Sequence, residues 1–104
     1  MNITKFLSMI GLSRRAGRVI IGTPLVTKSL PSGSVKIVFY TADASFNTEK
    51  RITDKCKFYN ITCIKIDIPS VQLGHTLGKD SSVCVVGVTD DNFSKQLIAL
   101  SQKD

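Results

Sequence analysis

The sequence predicts an α/β fold in which a small, largely parallel sheet is covered by helices on both faces. Three observations carry this expectation. Segments of helical and of strand period alternate along the chain. The joints between them are short and marked by Gly, Pro, Asn and Ser, with no linker, repeat or low-complexity tract. The chain has 104 residues, 42% of them apolar, enough to close one core without a metal or disulfide, so 1–104 reads as a single domain. Right-handed crossovers between parallel strands place the intervening helices on the faces of the sheet.

Asn2 is a cap for a first helix whose apolar residues Ile3, Phe6, Leu7 and Ile10 fall at helical spacing. Arg14 and Arg15 face the negative end of its dipole, and Gly17 ends it. A short strand follows at Arg18 to Ile21. Thr23 as cap and Pro24 at the first helical position open a second helix through about Leu30, because proline lacks only an N–H that would be unpaired there; Pro31 and Gly33 stop it. Val35 to Tyr40 reads as a buried strand. Asp43 to Asn47 is a polar turn, and Asn47 caps a third helix with Ile52, Cys56 and Tyr59 on one face, ended by Asn60. Thr62 to Ile66 is the next strand. Ser70 caps a short helix terminated by Gly78, Val83 to Val88 is the most apolar strand, and Asp90 or Asp91 opens a last helix with Phe93, Leu97 and Leu100 aligned. In such sheets ligands meet the loops beyond the strands' carboxyl ends.

Charge is distributed unevenly. The net charge is +6, and all of the excess is N-terminal: Lys5, Arg14, Arg15, Arg18, Lys28 and Lys36 precede the first acid, Asp43, after which bases and acids balance. This is either a solvated basic helix face or a surface for a polyanion. A helix start at Thr23 offers free N–H groups to phosphate, with Lys28 a turn further on and Arg14, Arg15 and Arg18 near in sequence. Phosphate contacts position a nucleic acid without reading its sequence. Phe39, Tyr40, Phe58, Tyr59 and Phe93 lie in apolar patterns and read mostly as core, so no stacking platform is visible.

Catalysis and cofactors find little support. His75 is the single histidine, with no cysteine or serine motif beside it, and no GxGxxG, Walker or HExxH sequence occurs. Asp43 cannot be a magnesium-dependent phospho-acceptor of the usual kind, because Gly22 and Thr23 stand where an acidic pair would be needed after the first strand. Glycines 11, 17, 22, 33, 74, 78 and 87 read as caps and turns. Cys56, Cys63 and Cys84 lack CxxC spacing and lie in apolar stretches, which predicts buried, unpaired thiols and a reducing compartment. Met1 to Met9 is too short and mixed for a secretory signal, and no apolar run approaches the roughly 18 residues of a membrane span. A cytoplasmic, non-enzymatic protein with no cofactor, no metal and no membrane partner is the expectation.

The segments FLSMIGLSRRAGRVIIGTPLVTKSLPSG, VFYTADASFNTEKRITDKC and QLGHTLGK with VCVVGVTD resemble the ribosomal protein L7Ae/L30e family, and within it the short bacterial YlxQ-like branch. The resemblance runs in register from about Phe6 to Leu100. It implies a three-layer α/β/α sandwich with a small, mixed, mostly parallel sheet. It also implies binding to kink-turn or related structured RNA, such as ribosomal RNA, by a monomer that works on or near the ribosome. The RNA-facing residues it implies are Gly22, Thr23, Pro24, Leu25 and Lys28 at the second helix, Ser45 in the DAS block, and Lys79, Asp80, Ser81 and Ser82 before the last strand, flanked by Arg14, Arg15 and Arg18.

One departure bears on specificity. Archaeal and eukaryotic kink-turn binders carry an Asn-Glu pair after the turn glycine, and this sequence has Pro24 and Leu25. Gly22 and Lys28 match the family, so backbone and phosphate recognition survive while base readout weakens. The apolar residues of the family's second loop are replaced by the polar set Lys79 to Ser82. The alternative is a protein-interaction module on the same scaffold, with Leu25 as an exposed apolar anchor.

Overall fold

In a computed structural model describing residues 1–102, five helices and four strands follow in the order α1 (Ile3–Arg15), β1 (Val19–Ile21), α2 (Thr23–Ser29), β2 (Ile37–Thr41), α3 (Phe46–Phe58), β3 (Thr62–Ile66), α4 (Ser70–Thr76), β4 (Val85–Val88) and α5 (Asp91–Ser101). A single 3-10 turn at Leu30–Ser32 continues α2. The sheet is mixed, in the order β1-β4-β2-β3.

The mostly parallel expectation needs correction. β1, β2 and β3 share one direction, but β4 enters between β1 and β2 the other way, so only the β2–β3 ladder is parallel. The physical reason is the path after α4. The chain turns at the foot of this short helix and climbs beside it, so that it starts β4 at the end where β1 to β3 finish; Ile21 faces Val86 and Tyr40 faces Val85.

Alternation along the strands sorts the core into two layers. Ile37, Phe39, Val86 and Val88 face α1, α4 and α5, where Phe6, Ile10, Leu73, Leu77 and Leu97 are buried. Phe6 meets Phe39 edge-on, with ring centroids 5.1 Å apart, a favoured aromatic geometry. Val38, Tyr40 and Val85 face α2 and α3 through Val26, Leu30, Ile52 and Cys56.

Several local expectations shift by a residue or two. The cap of α2 is Gly22, and Thr23 is the first helical residue. Ser45, not Asn47, caps α3, its Oγ accepting the Thr48 N–H at 3.2 Å. Pro69 occupies the cap of α4, because the N–H and hydroxyl of Ser70 are committed to Asp43. Asp90 caps α5 through the Phe93 N–H. Val83 is not in β4, since its N–H donates to the Ser70 carbonyl of the helix start. Of the cysteines, Cys56 is buried while Cys63 and Cys84 are half-buried, and all three are unpaired. The neighbouring Cys56 thiol and burial together push the Cys63 thiol up, so it stays protonated. Phe58, expected in the core, is 78% exposed and lies edge-on against Tyr59. Two residues past Cys56, about 200° round the helix, it points away from the α3 face that buries Ile52 and Cys56.

Candidate nucleic-acid interface

Three segments gather at the end of the sheet where β1, β2 and β3 finish, and each is tied to the start of β4. The Gly22 N–H donates to the Val85 carbonyl at 2.9 Å, and the Thr41 N–H to the Cys84 carbonyl at 2.9 Å. The loop 79–82 runs beside α4 and delivers Val83 to the Ser70 carbonyl at 3.0 Å. The α2 start and the loop thus flank β4 from opposite faces, since α2 covers the Val85 side and α4 the Val86 side.

Gly22 has φ +96° and ψ 148°, a conformation that L side chains avoid and that costs them about 1–3 kcal/mol. This bend aims the α2 start out of the sheet. The Gly22 N–H is taken and Pro24 has none, so the N–H groups of Thr23 and Leu25 are left without an intrahelical acceptor. Pro24, Leu25 and Lys28 are exposed, Leu25 by 58%. Because α2 has only seven residues, its dipole is a minor attraction and the side chains carry the charge.

Ser45 lies in the turn after β2, which a carboxylate holds from below. Asp43 accepts the Ser70 N–H at 3.0 and 3.2 Å and the Ser70 hydroxyl at 2.9 Å. The Thr41 hydroxyl, buried and short of ordinary hydrogen-bond geometry, faces it too. Thr41 first and Ser70 next favour the charged form, holding the Asp43 carboxyl below its usual range. Across the turn, the Tyr40 hydroxyl donates to Glu49 at 3.3 Å; burial, then the Glu49 charge, pushes the Tyr40 phenol up.

The loop of Lys79, Asp80, Ser81 and Ser82 is exposed throughout. Its course depends on Gly74, buried mid-way along α4, where any Cβ would overlap the Ser81 carbonyl. The Arg14 guanidinium lies over Gly78, so close that a Cβ there would stand 3.0 Å from Cζ. Arg14 therefore joins the foot of this loop although it is far away in sequence. Arg15 points to the groove between α1 and α4. Arg18 is placed elsewhere: its carbonyl accepts the Thr89 N–H at the opposite end of the sheet from Gly22, and Lys36 lies at that same end, its N–H donating to the Val88 carbonyl. The acid-free N-terminal third is therefore spread along the molecule rather than massed at the loops.

Among the described residues, the ion pairs are Lys50 with Asp54 at 3.2 Å and Lys65 with Glu49 at 4.0 Å. Arg14, Arg15, Arg18, Lys28 and Lys79 have no carboxylate within that reach among them. No group of three or more His, Cys, Asp and Glu among the described residues could hold a metal ion, and none of the helices is long and apolar enough to cross a membrane. His75 is exposed on α4. Sequence reasoning missed the Asp43–Ser70 clasp and the packing role of Gly74, which it took for a turn or cap. It also overlooked Phe46, 78% exposed at the start of α3. The Ser45 hydroxyl three residues before the Thr48 amide was the available signal for that start.

The model of the ribosomal protein L7Ae/L30e/S12e/Gadd45 family matches residues 4–98. The chain is 41% identical over 96 residues to the RNA-binding protein YlxQ of Bacillus subtilis, covering 92% of this chain and 94% of that protein. It is 32% identical over 83 residues to the large ribosomal subunit protein eL30 of Sulfolobus acidocaldarius, covering 80% of each. Among solved structures, a Bacillus halodurans protein of unknown function superposes with a TM-score of 0.87 at 35% identity, covering 95% of this chain and 98% of that one. The Giardia lamblia 15.5kD RNA binding protein superposes with a TM-score of 0.77 at 14% identity, covering 91% and 80%, a likeness of fold alone. Matched across nearly its whole length by the family model and by such relatives, the chain belongs to the ribosomal protein L7Ae/L30e/S12e/Gadd45 family.

Proposed function

We propose that residues 1–104 act as a single, non-catalytic RNA-binding domain in the cytoplasm. In this reading a monomer, on the ribosome or on another structured RNA, engages a kink-turn-like internal loop. The observation that carries this reading is the convergence on the start of β4 of the α2 start, the Ser45 turn and the loop 79–82. Gly22, Thr23, Pro24, Leu25 and Lys28 approach the RNA from one face, Lys79, Asp80, Ser81 and Ser82 from the other, with Ser45 between them. Arg14, beside Gly78, and Arg15 neutralise flanking phosphates. Arg18 contributes only to an RNA long enough to reach the opposite end of the sheet. The names of the YlxQ relatives support RNA as the ligand.

Pro24 and Leu25 present no hydrogen-bonding side chain, so this surface grips the backbone more than it reads bases. The test is a salt titration of binding to a kink-turn RNA and to a matched straight duplex, with the wild type and Pro24→Asn/Leu25→Glu. Each restored base-edge pairing is worth roughly 1–3 kcal/mol, so the double variant should gain kink-turn selectivity. Thermal melting runs alongside, because losing Pro24 releases unfolded-chain entropy. In the same assay Arg14→Ala/Arg15→Ala should lower the salt slope by about one to two, similarly for both RNAs. The exposure of Leu25 favours the second reading, a protein-interaction module. A folded double variant with no gain for the kink-turn selects that reading.

A further inference from the structure

On the face formed by α1 and α5, away from the loops just described, an open groove of about 460 Å³ has Met9, Leu12, Ala99 and Leu100 as its apolar lining, with Lys5, Ser8 and Gln96 at its margins. A second groove of about 430 Å³ runs along the other flank of α1, shares Ser8 and Leu12 with the first, and reaches Arg15. Leu12, on the ridge between them, is 46% exposed, and Ile3 at the α1 start is 38% exposed. The buried face of α1, through Phe6, Ile10 and Ser13, serves the core, and Met9 and Leu100 pack partly against it, whereas Leu12 and Ile3 belong to neither core cluster.

We infer that this α1 surface docks an acidic amphipathic helix of a partner protein, on an apolar floor apart from the RNA loops that meets the RNA surface only at Arg15. Charge complementarity names the occupant. The grooved side of α1 has Lys5 towards one end, Arg15 towards the other and no acid, while Arg14 is turned to Gly78. The α5 residues that line the groove, Gln96, Ala99 and Leu100, are uncharged. Asp90 and Asp91 lie at the start of α5, outside the lining, and Asp90 is engaged as a cap. From Lys5 to Arg15 the surface runs about 15 Å, or three helical turns, the length over which a partner helix places apolar residues at i, i+3, i+4 and i+7.

Other occupants fit less well. The lining holds no aromatic ring on which a base could stack, and phosphate gains nothing from an aliphatic floor. A second copy of this chain offers no matching acidic helix, because Glu49 and Asp54 of α3 are each within ion-pair distance of a lysine of their own chain.

The test uses the full chain, 15N-labelled, and three synthetic peptides of about 14 residues, roughly four turns of helix. One is an amphipathic Leu/Glu helix, one is the Leu/Lys helix of the same pattern, and one is the Leu/Glu peptide with its leucines replaced by serine. The Leu/Glu peptide should shift the amides of Lys5, Ser8, Leu12, Gln96 and Ala99 and bind about tenfold tighter than the Leu/Lys peptide, as a few exposed charge pairs supply. The serine peptide, equal in charge, should leave those amides unmoved. Leu12→Ser should abolish the shifts while leaving binding to the kink-turn RNA unchanged, and Lys5→Glu should narrow the preference between the two charged peptides. The inference is overturned if the Leu/Glu peptide moves no groove amide, if the serine peptide moves them equally, or if the kink-turn RNA moves them and displaces the peptide. The RNA reading stands or falls on its own assay, because neither Lys5 nor Leu12 belongs to its surface.

Discussion

The turn after β2 and the loop before β4 are both anchored to Ser70, yet their side chains are used in opposite ways. In the turn, Asp43 turns inward and accepts the Ser70 N–H and hydroxyl, while Ser45 caps α3. In the loop, the anchor is backbone alone, the Val83 N–H on the Ser70 carbonyl and the Lys79 N–H on the Gly74 carbonyl. Among the described residues, the side chains of Lys79, Asp80, Ser81 and Ser82 form no hydrogen bond to the rest of the protein. The turn spends its polar groups on positioning, and the loop holds its course by shape and keeps its polar groups for solvent or a ligand. Ser70 is the hinge of both arrangements, so the turn supplies rigidity to a neighbour that supplies contacts.

The largest effect should come from removing the shape on which the loop depends. Gly74→Ala puts a methyl group into the Ser81 carbonyl, and because neither α4 nor a backbone carbonyl yields cheaply, we expect a loss of about 2–3 kcal/mol in urea unfolding. RNA affinity should fall with it. An unchanged unfolding midpoint would mean that the loop can move aside at no cost, and the contrast between shape-held loop and bonded turn would be lost.

Asp43→Ala tests the other half. It leaves the N–H and hydroxyl of the buried Ser70 without their acceptor and should cost about 1 kcal/mol, since Asp43 is exposed and water can take the place of its carboxylate. The pH dependence separates this from a packing effect. The folded-state pKa of Asp43 is lowered, so its contribution is fully present above the ordinary carboxylate value of about 3.9 and is lost as pH falls through the lower folded value. The variant should therefore lie below the wild type at neutral pH and converge on it in acid. Parallel curves down to the acid transition would assign the loss to something other than the carboxylate.

The smallest change in stability should be that of Lys28→Ala. Lys28 is exposed on α2, so its removal should stay within about 0.5 kcal/mol in unfolding. RNA affinity should fall for kink-turn and duplex alike, with the salt slope reduced by about 0.7–0.9. Sharper still would be a Lys28 effect confined to the kink-turn, because that would make the lysine a reader of shape rather than a phosphate contact.

Much of this molecule is written in local chemistry. Asn2 and Asp90 accept the amides expected of caps, and the apolar spacing in α1, α3 and α5 finds Phe6, Ile10, Ile52, Cys56 and Leu97, which are buried, although it also takes in Ile3, which is exposed. These signals act over a turn of chain, so they can be read from adjacent residues. Cap choices that slipped did so where two candidates lay close together, as with Ser45 and Asn47, or where the candidate had a distant partner, as with Ser70. The loops of the candidate interface were legible because chain order puts them after strands or before β4, and the family resemblance pointed to the same segments.

The direction of β4 was not legible in this way, because Val85 to Val88 reads the same in either orientation. Its placement depends on which ladder it completes, and the climb of residues 79–84 beside α4 delivers it to the carboxyl ends of β1 and β2. The Asp43–Ser70 clasp joins residues 27 positions apart, and Arg14 meets Gly78 across two helices. Such contacts have no sequence period to announce them, since they arise when separate elements share one core. Composition and pattern established the alternation, the cores and the basic N-terminal third. Packing determined that Arg14 reaches the loop while Arg18 faces the other end, because a charge's neighbours are set by where its element docks and not by its place in the chain.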